Sequence, residues 1–365
     1  MTTPYIYFIQ AVSQKGGPKP YMMTEECCWL IHPSPMMPVR DLHIVSQMRQ
    51  EGHTVQMTVT APPEGTPNVL TRVLEHFLPM MVEPKGATIL QEPIWEDKNW
   101  PGAPWPQRPF SEWKLDLGVV REWEALARQA GQPIPEQWGS ISLATTTGCV
   151  SRCLFCVWAG MKYLERPAGQ VYQEVLGINP KQVYLMGCYM TPEWMQQWMD
   201  LGGYAVWGVD LHAGLTYSVD LLQRAKAVGL TKVLVGAESL AEAGIRRYRK
   251  PFNKAQVLTT LRACDEAGII TKVSLRAGNG ESAAEVRETL DTMLELRKSL
   301  KNPQNFLWRY GEIAWQPGQP GWDASKHTIQ AKPIDQNPRW KRPLEPDVLL
   351  AWEEVCALIQ AWPKG

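Results

Sequence analysis

Six β-rich apolar segments, each followed by a helix-like stretch, recur between about residues 139 and 322 and leave few architectures open: "SISLATT", "QVYLMG", "YAVWGVDL", "KVLVGAES", "TKVSLRAG" and "FLWRYGEIAW". The intervening stretches carry helix signals. "TPEWMQQWMDLG" places Thr191 at an N-cap and Pro192 in the first turn. "SVDLLQRAKAVG" and "NKAQVLTTLRACDEAG" each have an apolar face and stop at a glycine, Gly229 and Gly268. "SAAEVRETLDTMLELRK" opens with a capping box, Ser282 and Glu285, and closes on basic residues. Strands alternating with helices imply parallel strands joined by crossovers, hence an α/β fold with its chemistry where the loops leave the C-terminal strand ends.

The first segment runs straight into "GCVSRCLFC", with cysteines at 149, 153 and 156. A structural zinc site takes four protein ligands, often as two pairs. The next cysteine, Cys188, is about thirty residues on and has no partner at knuckle spacing. A disulfide would leave one thiol over. Three thiolates on one loop suit three corners of a [4Fe–4S] cube, whose fourth iron stays open for a substrate or cosubstrate. Zinc or chance spacing is the alternative.

"GCVSRCLFC", with Phe155 before the third cysteine, resembles the cluster motif of the radical S-adenosylmethionine (SAM) superfamily. The resemblance implies a partial (β/α)6 TIM-like barrel over residues 139–322, and a cluster on Cys149, Cys153 and Cys156 that cleaves SAM to methionine and a 5′-deoxyadenosyl radical. Gly187, Cys188 and Tyr189 follow the second strand where such enzymes hold the SAM amino group. No acid stands there, so backbone carbonyls would serve, and Cys188 itself reads as a small buried thiol. Glu238 and Ser239 end the fourth strand in "GAES", similar to the family's G-x-E-S, with a structural carboxylate as the rival role for Glu238. Arg276, on the fifth strand, is a candidate for the SAM carboxylate or for a barrel-end ion pair, while Gly278 and Gly280 serve the turn after it.

"LERPAGQVYQEV" and "WQPGQPGW" bring the pattern closest to the cobalamin-domain subclass of that superfamily. Residues 1–95 read as an abbreviated Rossmann-like domain: a strand at "CCWL", a helix ending at Gly52 with Val39, Leu42, Val45 and Met48 on its apolar stripe, a strand at "HTVQMTV", a helix at "TPNVLTRVLEHFL" and a strand at "GATILQ". Asp41, His43 and Ser46 faintly resemble an Asp-x-His-x-x-Gly cobalt-ligand motif that lacks its glycine, so cobalamin is not favoured. Residues 96–138 form a Pro/Trp-rich linker, and 323–365 an extension with a helix at "PDVLLAWEEVCALIQAW" that covers the barrel or an interface.

Acidic and basic residues number 37 each, so no overall field favours nucleic acid or an anionic membrane, and no apolar run is long enough to span one. The N-terminus lacks a signal-peptide pattern, and eight sparse cysteines suit a reducing cytoplasm. The expectation is therefore a cytoplasmic, oxygen-sensitive radical SAM enzyme that modifies an unactivated C–H position, with an electron donor such as flavodoxin or ferredoxin. A cobalamin-dependent radical SAM methyltransferase and a non-catalytic Fe–S protein are the alternatives.

Overall fold

The computed structural model describes residues 9–12, 18–23, 28–30, 39–52, 68–70, 87–89, 110–129, 134–156, 159–160, 162–313, 320–321, 328–330, 339–341 and 343–363. The chain divides into two compact units. One comprises residues 1–144, 164–181 and 333–337; the other comprises 145–163, 182–332 and 338–365.

In the first unit, β1 (Ile9–Val12), β2 (Pro18–Met23), β3 (Cys28–Leu30), β4 (Asn68–Leu70) and β5 (Ala87–Ile89) form one sheet in chain order. β1, β2 and β3 pair antiparallel; β3, β4 and β5 pair parallel. The helix expected at "TPNVLTRVLEHFL" is corrected at residues 68–70, which are strand. Val69 pairs with both Trp29 and Thr88, and two ladders outweigh the weak helical bias of a short apolar run. The strand expected at "HTVQMTV" lies outside the described residues. α1 (Val39–Gln50) buries Leu42 and Val45 as its stripe requires, and His43, Ser46 and Gln47 as well. α2 (Leu117–Gln129) lies within the stretch read as linker and buries Val119, Val120, Trp123 and Ala127. β6 (Ser140–Ala144) and α3 (Ala168–Ile178) complete this unit's longer elements, with the two-residue β8 (Leu164–Glu165) before α3.

The second unit begins at the short β7 (Thr146–Thr147) and the cysteine loop. It continues through β9 (Gln182–Met186), α4 (Pro192–Asp200), β10 (Val206–Leu211), α5 (Val219–Ala227), β11 (Lys232–Glu238), α6 (Glu242–Arg247), α7 (Lys254–Ala267), β12 (Ile270–Ala277), α8 (Ala283–Ser299) and β13 (Phe306–Glu312). The hairpin strands β14 (Thr328–Gln330) and β15 (Arg339–Lys341) precede the last helix, α9 (Pro346–Gln360). Within this unit the strand order is β13-β12-β11-β10-β9, an open α/β sheet with all recorded pairs parallel.

Local chemistry fixes the helix ends. Thr191 and Ser218 accept from the N–H groups of Trp194 and Leu221, while Asn253 and Ser282 form reciprocal boxes with Gln256 and Glu285. Gly268 ends α7 in the left-handed conformation (φ 66°). α9 packs on α8 and on the edge strand β13, where Trp352 lies 4.7 Å from the Tyr310 ring. That contact covers one open sheet edge.

Candidate functional site

The cysteine loop leaves β7 through Gly148, whose φ of 69° admits the sharp turn that a Cβ would strain. Gly160 N donates to Ser151 O (3.0 Å) and Cys156 N to Cys153 O (3.2 Å), which folds the loop back on itself. Two outside contacts hold it: Leu154 N donates to Tyr248 O (3.4 Å), and Gly321 N donates to Leu154 O (2.9 Å). Phe155 packs edge-on to Tyr248 with ring centroids 5.6 Å apart, beside Ile313. Ser151 Oγ meets His212 Nε2 at 2.9 Å, and His212 Nδ1 accepts from Gly214 N (3.1 Å). The imidazole therefore carries its proton on Nε2 and donates it to Ser151. Burial holds it neutral, with its pKa down at about 4.

The three cysteines have unequal environments. Cys149 accepts a hydrogen bond from Cys188 that, against burial and with help from Ser151 and Lys250, draws its pKa down to about 6. Cys188, the donor, is held far above the ordinary thiol range by that bond and by burial. Burial likewise raises Cys153. Sequence spacing does not show that Cys188, thirty-odd positions on, stands at the same mouth. It is placed there because Thr146 Oγ1 accepts from Cys188 N at 3.0 Å. Tyr189 stacks on Tyr163 (4.8 Å, 8°) and lies 4.8 Å from the His212 ring.

Across the loop stands a charged group that the sequence reading found in part. Glu238 ends β11 with φ of 62°, a left-handed conformation that a non-glycine residue adopts only at a cost of order 1–3 kcal/mol. Its carboxylate is 8% exposed, 3.3 Å from Lys250 Nζ and 3.4 Å from Arg276 Nε. Glu238 Oε2 and Arg276 Nε are buried without a hydrogen bond in good geometry. Lys250 was missed. It follows α6, donates to Gly236 O (3.0 Å), and sits 5.4 Å from the Phe155 centroid and 5.6 Å from that of Phe252. Burial alone would lower the Lys250 pKa, but Glu238 and the thiols of Cys153 and Cys156 hold it above its ordinary value. Ser239 is spent on structure, its Oγ accepting from Ala241 N and meeting Thr289. Gly278 and Gly280 (φ 92° and 74°) shape the turn after β12. Glu281 braces it, accepting from Gly278 N, Asn279 N and Trp352 Nε1.

Among the described residues no three His, Cys, Asp or Glu side chains stand together as a ready metal site. The donor set nevertheless fits an iron–sulfur cluster in kind: three thiols on one loop, one of them ionising near neutrality, opposed by a buried ammonium that balances anionic sulfur.

In the first unit His43 does not stand open. Its Nε2 lies 2.9 Å from Glu174 Oε2, both side chains buried, and Arg166 completes the group through its ion pair with Glu174 Oε1. Arg166 also donates to the Trp113 and Ala144 carbonyls, and Glu174 accepts from Leu115 N. The residues of the faint cobalt-ligand pattern have partners of their own: His43 pairs with Glu174, and Ser46 Oγ donates to Leu42 O while accepting from Asp116 N.

No protein-family model and no curated protein matches the chain. Among solved structures it is similar to a radical SAM methyltransferase, TsrM, from Kitasatospora setae: 16% identity over 62% of this chain and 52% of that one, TM-score 0.47. It is also similar to coproporphyrinogen III oxidase from Escherichia coli, a radical SAM enzyme: 15% identity over 67% and 61%, TM-score 0.46. A third is methylornithine synthase: 16% identity over 61% and 63%, TM-score 0.40. The matched region spans about half to somewhat under two thirds of each of these proteins. By its own architecture the second unit is an open parallel α/β sheet with a cysteine loop and a partly buried Lys–Glu–Arg group at the strand ends.

Proposed function

We propose that the protein is a radical SAM enzyme that modifies an unactivated C–H position of its substrate. One observation carries the reading: the C-x3-C-x2-C loop follows the first strands of the sheet and faces a group made of the buried Glu238, the largely covered Lys250 and the half-buried Arg276 at the ends of β11 and β12. A [4Fe–4S] cluster on Cys149, Cys153 and Cys156, when bound, supplies the electron that cleaves SAM to methionine and a 5′-deoxyadenosyl radical. The chain's own residues bind and orient. Arg276 Nε lies 3.4 Å from Glu238 Oε2 as an ion pair without a hydrogen bond, and Nη1 and Nη2 have no partners among the described residues, a fork suited to the SAM carboxylate. Glu238 Oε2, buried and lacking a hydrogen bond, suits a ribose hydroxyl or the amino group. Phe155 and Tyr248 shield the loop from water. A small protein reductant of the flavodoxin or ferredoxin type would supply the electron.

The test begins with iron. Anaerobic reconstitution should give about four irons, as three thiolates and one open site imply, and Ala at the three cysteines should abolish uptake. Arg276→Gln, with full iron content, should weaken SAM binding roughly tenfold or more, the loss of a charged hydrogen bond. Unchanged SAM affinity would refute the carboxylate assignment, and zinc uptake without iron would refute the cluster. The buried His43–Glu174 pair favours a reaction without cobalamin. After incubation with hydroxocobalamin and desalting, no corrinoid absorbance should remain; a stoichiometric corrinoid would make a cobalamin-dependent methyltransferase the better reading.

A further inference from the structure

The two faces of the sheet differ in a way that core packing does not explain. Val183, Leu185, Val209, Leu211, Val233, Val235, Val273 and Leu275 are at most 4% exposed. This is the helix side: Leu185 and Val209 line one small cavity with Met195 and Trp198 of α4 and Ala225 of α5. The alternate positions carry Tyr184, Asp210, Leu234 and Lys272, all partly buried. A carboxyl and an ammonium on the face opposite those helices call for a partner.

Their geometry is specific. Tyr184 OH donates to Asp210 Oδ2 at 3.0 Å, and the Tyr184 ring stacks on Trp207 (4.7 Å, 28°). Gly208 makes room for that ring, since a Cβ there would come within 2.8 Å of it. Asp210 Oδ1 has no donor, and the buried Trp207 Nε1 has no acceptor, among the described residues. Asp210 and Lys272 lie in one register row, with Leu234 between them on β11. Two strand spacings separate their backbones by about 9.5 Å. Lys272 makes no ion pair among the described residues, although its long stem can reach toward Asp210. Burial pushes the Asp210 carboxyl up to about 7 against the pull of Tyr184 and Lys272. Lys272 is drawn below its ordinary value by burial and by Arg309 and Lys232, so cations crowd this end of the row.

We infer that this face holds a substrate carrying both an ammonium and a carboxylate, a free α-amino acid, with Asp210 taking the ammonium and Lys272 the carboxylate. Trp207 and Tyr184 then form an aromatic wall beside it. The inference rests on the radical SAM reading only in calling the ligand a substrate; the binding itself needs neither cluster nor SAM.

The test therefore uses the full chain without added cluster or SAM. The common free L-amino acids are screened singly by ligand-observed NMR, and any binder is then titrated against Asp210→Asn and Lys272→Gln, with circular dichroism confirming the fold of each. At least one should bind, and each variant should weaken it about tenfold or more, as loss of a charged hydrogen bond requires. The amide of that amino acid, which lacks the carboxylate, should be insensitive to Lys272→Gln. Its N-acetyl derivative, which lacks the ammonium, should be insensitive to Asp210→Asn. Absence of binding by every free amino acid, or binding that neither substitution weakens, overturns the inference. The radical SAM reading is unaffected in either case if the reconstituted protein still cleaves SAM.

Discussion

Single residues in this molecule owe their states to neighbours far away in sequence, and Glu174 shows it best. Burial alone would raise its carboxyl, yet His43 and Arg166 outweigh that and hold it at about 2. A depressed carboxyl stabilises the fold fully above the unfolded pKa near 4.5, and that contribution disappears as pH falls from there toward 2. The difference corresponds to about 3 kcal/mol. Glu174→Gln should flatten acid unfolding across that window and cost about 3–5 kcal/mol at neutral pH, because the buried Arg166 loses its carboxylate counter-charge. Urea titrations of both proteins at several pH values check this; a wild-type-like acid limb in the variant would contradict it. The same residues show where the sequence was mute. The strand-end pattern at Glu238 and Arg276 was legible, because both sit in segments whose ends can be read. Lys250 was not, since it reaches the site only after α6 carries the chain back to the mouth. The partner of His43 was not legible either, because a three-residue spacing on a helix says nothing about what α3 brings against it.

At the scale of elements, the segments with local punctuation were the legible ones. Thr191, Asn253, Gly268 and Ser282 act within their own turn, so their roles can be read from four residues at a time. β4 and α2 depended on partners. Three residues of β4 are fixed by pairing on both sides, and α2 hides behind Pro- and Trp-rich flanks. The junction after β9 shows how an element's end builds the site. A Cβ at Gly187 would collide with Thr146 Oγ1, the atom that accepts from Cys188 N. Gly187→Ala should displace the Cys188 segment, raise the Cys149 pKa toward that of an ordinary thiol, and cost about 1–3 kcal/mol as overpacking does. Thiolate absorbance followed against pH reads the first effect and thermal unfolding the second. A Cys149 titration unchanged from wild type would show that the contact does not control the loop.

On the scale of the whole molecule, all six recurrent segments are strands, and the last five form the second unit's open sheet in the order of the sequence. Alternation of strand and helix carries that information in local pattern, whereas the mixed five-stranded sheet of the first unit arises from short strands with little periodicity. The central claim concerns what the strand-end mouth does once its cysteine loop is loaded. The most direct measurement is to reconstitute the protein anaerobically with iron and sulfide, add SAM and a strong one-electron reductant, and quantify 5′-deoxyadenosine and methionine. Both should appear, in reduced samples only, and neither in the protein lacking Cys149, Cys153 and Cys156. A protein that holds its full complement of iron and binds SAM, yet yields no 5′-deoxyadenosine under reduction, would contradict the account.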